Sequence, residues 1–290
     1  MAEIRAALGD PASSAPPTET VYTAGSVLRS PGAFLAGAGR DAARSGDIAL
    51  RLFRSEVRAR RRQSLLGHAW LFLPAAATTL VCTYLQRRGV VGMRETMLPY
   101  PLFVLSGMLM WQTLTDALNA PLQQLNAMRQ LITRSRVPHE AVVAAGAAGA
   151  LLNAAVRLAL LLLVLPFFGM ALAPSLLLLP FAFLALLLLG LAAGLVIAPF
   201  GLLYEDVGRG LPFATLFWFF LSPVVYPVAA GAGWLRFNPV SPLMEAGRSW
   251  LVAPSAPTAF AAVTLGSAAV LVAASLFYRL ARPHLVARLG

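Results

Sequence analysis

One arginine, Arg157, stands inside a long apolar segment of the sequence, at 141–168. If that segment crosses a membrane, the guanidinium costs about 3 kcal/mol even on lenient insertion scales, so it must meet a partner, a cavity or a ligand. Asn153 lies one helical turn earlier on the same face. Asp116 is expected near the cytoplasmic end of its own segment, which argues against a direct pair. The pattern predicts a structural bond, to carbonyls or to a second copy of the chain, or contact with an anionic ligand.

Other groups that could do chemistry are few. Glu205 and Asp206 are adjacent and close to Arg209, where they could hold a metal or meet an arginine of a partner. The sequence contains no glycine-rich phosphate loop, no His/Cys metal spacing and no nucleophile with a base at recognisable spacing. We therefore predict no catalytic residues, no metal site and no cofactor. The three histidines fall at segment edges, where interfacial placement accounts for them: His68, His139 and His284.

Six apolar segments alternate with short polar stretches. Each is about long enough for a hydrocarbon core that needs roughly 20 residues. The chain is 58% hydrophobic and 12% charged, a composition that excludes a soluble domain of 290 residues. We predict an all-α integral membrane protein with six transmembrane helices, at 68–86, 98–119, 141–168, 174–200, 211–229 and 259–278.

The arginines give this topology an orientation. All 23 basic residues are arginine, and 17 of them fall in the N-terminal arm, the tail and the two loops on the same side. Because basic residues are retained on the cytoplasmic side, both termini are predicted to be cytoplasmic. The net charge of +11 is then explained by arginines beside anionic headgroups of membrane lipids, and no nucleic acid is predicted as a partner.

The N-terminal region divides into two parts. Residues 1–45 are rich in Ala, Ser, Pro and Gly and predict a mobile cytoplasmic arm. Residues 46–66 alternate apolar and arginine positions, as in a basic amphipathic helix that lies in the membrane interface. A plain positive anchor for the first span remains the alternative. Residues 67–290 then form the membrane domain.

Two further stretches interrupt the spans. The polar loop at 121–140 is predicted to be either a connector or a docking surface for a cytoplasmic partner, with a short projecting helix such as 122–132. The stretch at 230–258 is too apolar for an exposed loop and too broken by proline for a span. Irregular backbone is tolerated at membrane depth only where protein or a cavity covers it. We expect two short re-entrant or interfacial helices on the outer side, before the last span.

Aromatic residues cluster near the starts of the first two spans and at 213–226. Packing against lipid and interface belts would account for most of them. The alternative is a set of flat apolar faces on which sugar rings could stack.

In order, these segments resemble the membrane (permease) subunit of ABC-2-type exporters of polysaccharide, O-antigen and teichoic acid. Departures from the family pattern are His139, where the family has a basic residue after the loop proline, and His68, where a Trp is expected. The resemblance depends on five blocks, namely VRARRRQSLLGHAWLFLPA at 57–75, YPLFVLSGMLMWQTLTDALN at 100–119, QLITRSRVPHE at 130–140, YEDVGRGLPFATLFWFFLSPVVYP at 204–227 and NPVSPLMEAGRSWLV at 238–252.

The resemblance implies a homodimer in the bacterial inner membrane that moves a lipid-linked glycan through a shared pore. ATP and Mg would be bound by a separate nucleotide-binding ATPase subunit. An ABC-2 exporter of a drug or lipid is the nearest alternative, and an ion-coupled secondary transporter is a further one. The substrate path would include Trp70, Tyr100, Phe103, Trp111, Arg157, Trp218, Phe220 and Tyr226.

The same resemblance assigns three other groups of residues. A lipid-headgroup entrance would use Arg58, Arg60, Arg61 and Arg62. The ATPase would dock on Arg51, Arg54, Met128, Arg129, Arg134 and Arg136. An outer gate would use Trp234, Phe237, Met244 and Trp250.

Overall fold

The computed structural model describes most of the chain after the N-terminal arm. Seven of the residues expected at functional sites, and residues 1–44 of the predicted arm, lie outside the described part. Those seven are Arg60, Arg61, Arg62, Arg129, Arg134, Arg136 and Trp234. The described ranges are 45–59, 70–89, 98–128, 138–170, 173–227, 237–255 and 258–289.

Within these ranges the chain is helical, which confirms the all-α prediction for this part of the molecule. The α-helices are α1 (45–59), α2 (Leu73–Arg87), α3 (Tyr100–Ala127), α4 (His139–Val164), α5 (Leu179–Leu203), α6 (Glu205–Phe220), α7 (Val240–Ser249) and α8 (Ala259–Leu289). Short 3₁₀ turns at Leu165–Phe168 and Pro174–Leu178 extend α4 and lead into α5.

Three helical segments in the described ranges are long and apolar enough to cross a membrane by length and composition. They are His139–Phe168, Pro174–Leu203 and Ala259–Ala281, of 30, 30 and 23 residues. At about 1.5 Å of rise per residue, even the shortest exceeds a hydrocarbon core of about 30 Å. These segments match three of the six predicted spans and make the chain a membrane protein.

The helix at the centre of the packing is α3. Nineteen of its 28 residues are buried, among them Leu102, Leu109 and Leu114, which have no exposed surface. It packs against α2, α4 and α5, while α8 packs against α5. The helices around α3 therefore supply the apolar surroundings that an isolated membrane-spanning helix would need from lipid.

Small residues bring α3 and α5 into close contact. A side chain at Gly190 would overlap the carbonyl oxygen of Leu114, and one at Gly194 would overlap the carbonyl oxygen of Leu118. Two glycines four residues apart allow helix backbones to approach in this way. The pairing of α3 with α5 is fixed by shape as well as by apolar contact.

The expected short helix after the second span is not a separate element. Residues from Leu122 onward continue α3 through Pro121 as far as Ala127. Leu122 and Leu125 are buried in a core cluster with Leu202 of α5, so tertiary packing extends the helix past the proline. The part of that prediction at 129–132 lies outside the described residues.

Between α6 and α8 the described residues include one short helix, α7. Eight of its ten residues are buried. It occupies part of the stretch where a pair of re-entrant helices is expected. The rest of that prediction falls partly on 228–236 and 256–257, outside the described ranges.

Candidate functional site

Arg157 lies at the centre of a polar cluster between α3 and α4. Its side chain is only 3% exposed, and its Nη2 donates to Asp116 Oδ2 at 2.7 Å. Arg157 Nε donates to Gln112 Oε1 at 3.3 Å, and Asn153 Nδ2 donates to the same Asp116 oxygen at 3.0 Å. The direct pair with Asp116, which the sequence argued against, is therefore present.

The sequence argument failed because it judged depth from the predicted ends of the segments. α3 runs to Ala127 rather than ending at 119, which places Asp116 about 16 Å before its end. Side chains on a helix also tilt toward its N-terminus, so the long arginine side chain can reach back along α4. Both effects reduce the difference in membrane depth that the sequence predicts between Arg157 and Asp116.

The polar residues of α3 form a stripe. Gln112, Asp116, Asn119 and Gln123 follow one another at intervals of four, three and four residues, which places them on one helix face. Three of them, Asp116, Asn119 and Gln123, line a cleft of about 320 Å³ between α3, α4 and α1. This spacing is visible in the sequence itself.

The wall of the cleft on α3 is polar, and the wall on α4 consists mainly of small residues. Gly146, Gly149 and Ala150 form the opposite wall, and a side chain at Gly149 would meet nothing within 4 Å. Because Asp116 neutralises Arg157, the cluster offers no net positive charge to an anionic ligand. The structure favours the structural role over the anionic ligand, with partners from within this chain.

α1 touches the central helix at the same cleft. Ser45 and Ala49 are buried on its inner face, and Glu56 on that face accepts a hydrogen bond from Gln124 Nε2 of α3 at 3.2 Å. The predicted docking and entrance residues on this helix, Arg51, Arg54 and Arg58, are exposed. α1 thus combines a solvent-accessible basic side with a direct bond to α3.

An aromatic cluster joins α3 to α6. Trp111 is 7% exposed and meets the rings of Trp218 and Phe219 edge-on, with centroids 6.0 and 5.6 Å apart. Trp218 Nε1 donates to Asn238 Oδ1 at 3.2 Å, and Asn238 Nδ2 donates to the Leu221 carbonyl at 2.9 Å. The bonds of Asn238 connect the end of α6 to the segment that begins α7.

The remaining predicted path residues divide by exposure. Tyr100 and Phe103 are buried near the start of α3, and the Tyr100 hydroxyl donates to the Val225 carbonyl at 3.4 Å. Trp70 and Phe220 have exposed fractions of 57% and 63%. Tyr226 is half-buried, and its hydroxyl donates to the Phe220 carbonyl at 2.6 Å. The structure brings Trp111 of α3 against Trp218 of α6 and bonds Tyr100 to the segment after α6, while Phe103 contacts Arg248 of α7.

Our sequence analysis missed a buried cation in α7, Arg248. Its Nη1 donates to the Pro223 carbonyl at 2.6 Å, and its Nη2 donates to the carbonyls of Val224 at 2.6 Å and Phe103 at 3.3 Å. Its guanidinium carbon lies 3.6 Å from the centroid of the Phe103 ring. The side chain connects α7 to the turn after α6 and to α3. The signal in the sequence is that Arg248 is the sole basic residue of the block at 238–252, three residues after Glu245.

Arg248 remains charged although it is buried. Burial lowers the pKa of Arg248 to about 9, and the nearby Glu245 carboxylate opposes that shift, so the guanidinium is a cation at neutral pH. Burial also raises the pKa of Glu245. A side chain at Gly107 would overlap both the guanidinium and the Val224 carbonyl. The glycine leaves the space that the arginine fills.

The three described residues of the predicted outer gate differ in exposure. Met244 has no exposed surface, and Trp250 is 5% exposed and meets Phe260 of α8 edge-on at 5.1 Å. Phe237, by contrast, is 90% exposed. Two of the three therefore anchor α7 in the body of the chain.

Comparison with known proteins agrees with this architecture. A family model described as ABC-2 type transporter matches residues 49–252. The O-antigen export system permease protein RfbA of Myxococcus xanthus is 26% identical over 239 residues, which cover 79% of this chain and 91% of that protein.

Proposed function

The chain belongs to the ABC-2 type transporter family, and from that premise we propose that it is the membrane subunit of an ATP-driven exporter of a lipid-linked, O-antigen-like polysaccharide. The proposed cargo rests on the similarity to an O-antigen export permease over 91% of that protein's length. In this proposal the chain crosses the bacterial inner membrane six times, with both termini in the cytoplasm. The additional spans would lie at 68–86, 98–119 and 211–229; α2 and α3 form most of the first two, and α6, which ends at Phe220, forms the first part of the third.

Two copies of the chain would form the pore. One face of α6 carries apolar side chains at intervals of three and four residues, all more than half exposed, which is the pattern of a face that packs against another element. Aromatic rings on such a face could also contact the apolar sides of sugar rings. The residues are Phe213, Leu216, Phe217 and Phe220.

In this proposal, α1 transmits the movement driven by ATP to the membrane domain. A separate ATPase subunit would dock on the exposed arginines of α1 and on the loop after α3. Displacement of α1 would then reach α3 through the bond between Glu56 and Gln124. Because α3 contacts α2, α4 and α5, its movement would alter the packing of much of the membrane domain.

Copurification with the nucleotide-binding ATPase subunit that the proposal requires tests it. We expect a complex of two copies of each subunit whose ATP turnover rises when lipid-linked glycan is added. A complex without glycan stimulation would favour another ABC-2 cargo, such as a drug or a lipid. Failure to bind the ATPase would contradict the assignment as an exporter subunit.

A glutamine substitution tests the proposed headgroup entrance. Arg58 is exposed on α1, close to three further arginines in the sequence. Replacement of Arg58, Arg60, Arg61 and Arg62 by glutamine should lower glycan-stimulated ATP turnover and leave the melting temperature unchanged. Full glycan stimulation of ATP turnover in that variant would contradict a role of these residues at the headgroup entrance.

A further inference from the structure

The polar cleft between α3, α4 and α1 is lined by residues whose hydrogen-bonding capacity the chain only partly uses. Asn153 Nδ2 donates to Asp116 Oδ2, and Asn119 Nδ2 donates to the Thr115 carbonyl. The remaining oxygen of each lining side chain, namely Asp116 Oδ1, Asn119 Oδ1 and Asn153 Oδ1, has no hydrogen-bond partner among the described residues. Three acceptor oxygens, two on α3 and one on α4, are therefore available to a ligand.

These oxygens exclude an apolar occupant. A polar group that is removed from water without a hydrogen bond is destabilising, so an acyl chain would be a poor fit in the cleft. Asp116 also lies within the segment 98–119 that is proposed to cross the membrane. Ionisable residues at such positions face the interior of a helix bundle or a water-filled cavity and mark substrate paths. The cleft therefore holds water or a polar ligand.

The charges of the site favour an uncharged ligand. Asp116 already neutralises Arg157, and the described lining contains no basic side chain, so an anionic ligand would find no cation to pair with. Acceptor oxygens instead require donors. A hydroxyl group donates one hydrogen bond and accepts two, and the exposed Gln123 amide at the same cleft can supply both kinds of partner to further hydroxyls. A polyhydroxylated, uncharged molecule meets these requirements.

The size and the access of the cleft match one sugar ring rather than a long chain. Its volume of about 320 Å³ is near the lower end of the range for small-molecule sites, roughly 300–1,000 Å³. The lining follows α3 from Asp116 to Ala127, which corresponds to about 16 Å of helix. Gln123 and Ala127 are exposed, so the cleft is accessible near the end of α3 that is cytoplasmic in the proposed orientation.

We propose that this cleft binds an uncharged sugar unit of the exported glycan, whose hydroxyl groups donate to Asp116, Asn119 and Asn153. This inference rests on the proposed function and assigns recognition of the glycan hydroxyls to a site between α3 and α4. Arg157 is a positioning residue, because it bonds Asp116 Oδ2 and leaves Oδ1 for the ligand. Glu56 of α1 lines the same cleft, so a bound sugar lies beside the helix on which the ATPase would dock.

Saturation-transfer difference NMR of the full-length protein, in a detergent without a sugar headgroup, tests the proposal. The probes are methyl α-glucopyranoside, methyl α-mannopyranoside and glucuronate. We expect a signal from at least one of the two neutral glycosides and none from glucuronate. Asn119→Leu keeps the side-chain size similar and removes one acceptor. It should weaken binding of the neutral glycoside about fivefold, as the loss of one hydrogen bond implies.

Gly149→Phe blocks the cleft without removing a polar group. A Cβ at this lining position meets nothing within 4 Å, so the ring would enter the cleft and should abolish the signal. Gly266→Phe on α8 is the matched control, because a Cβ there also meets nothing within 4 Å and the residue is not part of the lining. It should bind the glycoside as the unmodified protein does.

Three results would overturn the proposal: no signal from either neutral glycoside, a signal from glucuronate as strong as theirs, or an undiminished signal in Gly149→Phe. If Gly149→Phe fails to fold, undiminished binding by Asn119→Leu would overturn it instead. Glycan stimulation of the ATPase complex that is unchanged by Gly149→Phe would exclude the site and retain the exporter. If glycan fails to stimulate the unmodified complex, the proposed function fails, and the NMR signals of the isolated chain still decide whether the cleft binds sugars.

Discussion

Arg157 on α4 and Asp116 on α3 form an ion pair across 2.7 Å, with the arginine 3% exposed and the aspartate one-third exposed. Asn153 donates to Asp116, and Gln112 accepts from Arg157 Nε, while Arg157 Nη1 has no hydrogen-bond partner among the described residues. The two charged residues that are hardest to place in a membrane thus neutralise each other. The pair also fixes the register of α4 against the central helix.

Replacement of Asp116 by Asn should destabilise the protein. The change leaves the Arg157 guanidinium buried without a counter-charge, and loss of one partner of a buried pair costs about 3–5 kcal/mol. Since Asp116 is partly exposed, we expect about 3 kcal/mol, seen as a lower melting temperature in detergent. Asp116→Leu with Arg157→Met removes both charges and should recover most of the loss. Asp206→Asn, at an exposed pair with Arg209, is the control and should have almost no effect.

Substitution of Arg248 by Lys should loosen α7. The lysine keeps a positive charge but cannot reach the carbonyls of Pro223, Val224 and Phe103 with one planar group. We expect a loss of about 2 kcal/mol, the size of one hydrogen bond to a charged group, and faster hydrogen exchange in α7. Arg209→Gln, at a side chain 76% exposed, should change neither quantity. An unchanged rate of hydrogen exchange in α7 of Arg248→Lys would mean that apolar contacts alone keep α7 in place.

Gly194→Val should separate α3 from α5. Its Cβ would overlap the carbonyl oxygen of Leu118, and backbone atoms cannot turn aside as a flexible side chain does. Overpacking of a core costs about 1–3 kcal/mol, and we expect the upper end here. Gly266→Val on α8 is the matched control, because a Cβ there meets nothing within 4 Å. Equal melting temperatures for the two variants would contradict the close approach of the helices.

Gln124→Leu tests the connection between α1 and α3. The change removes the donor to Glu56 and keeps the side-chain size similar. In the complex with the ATPase we expect glycan export to fall severalfold while ATP turnover without glycan is retained. Asn126→Leu, an exposed position two residues further along α3, should export normally. Full export by Gln124→Leu would place the coupling elsewhere.

The sequence predicts best those helices that carry their own apolar signal. α4, α5 and α8 are continuous apolar runs, and their spans were found within a few residues of the structural ends. The resemblance blocks led to the ABC-2 family, which the family match confirms. Both results depend on information that is local along the chain.

The missed features depend on contacts between distant residues. Arg248 looks like an ordinary outer-side arginine until the Phe103 carbonyl, 145 residues away, is brought to it. The sequence argues against the Asp116 pair because composition alone places the end of the second span at 119, whereas the packing of Leu122 and Leu125 prolongs the helix. Neither contact follows from the periodicity of one segment.

The central position of α3 has a consequence for how the protein is made. In this helix Gln112 and Asp116 lie within the segment predicted to cross the membrane, and α3 is not among the helices apolar enough to qualify by composition. A lone carboxylate at mid-helix costs about 3 kcal/mol on insertion scales, so newly synthesised α3 is a poor substrate for release into lipid. Arg157 emerges from the ribosome 41 residues later, and with it the neutralising partner. We therefore expect α3 to be retained at the insertion machinery until α4 has been synthesised, so that the two helices enter the bilayer as a pair.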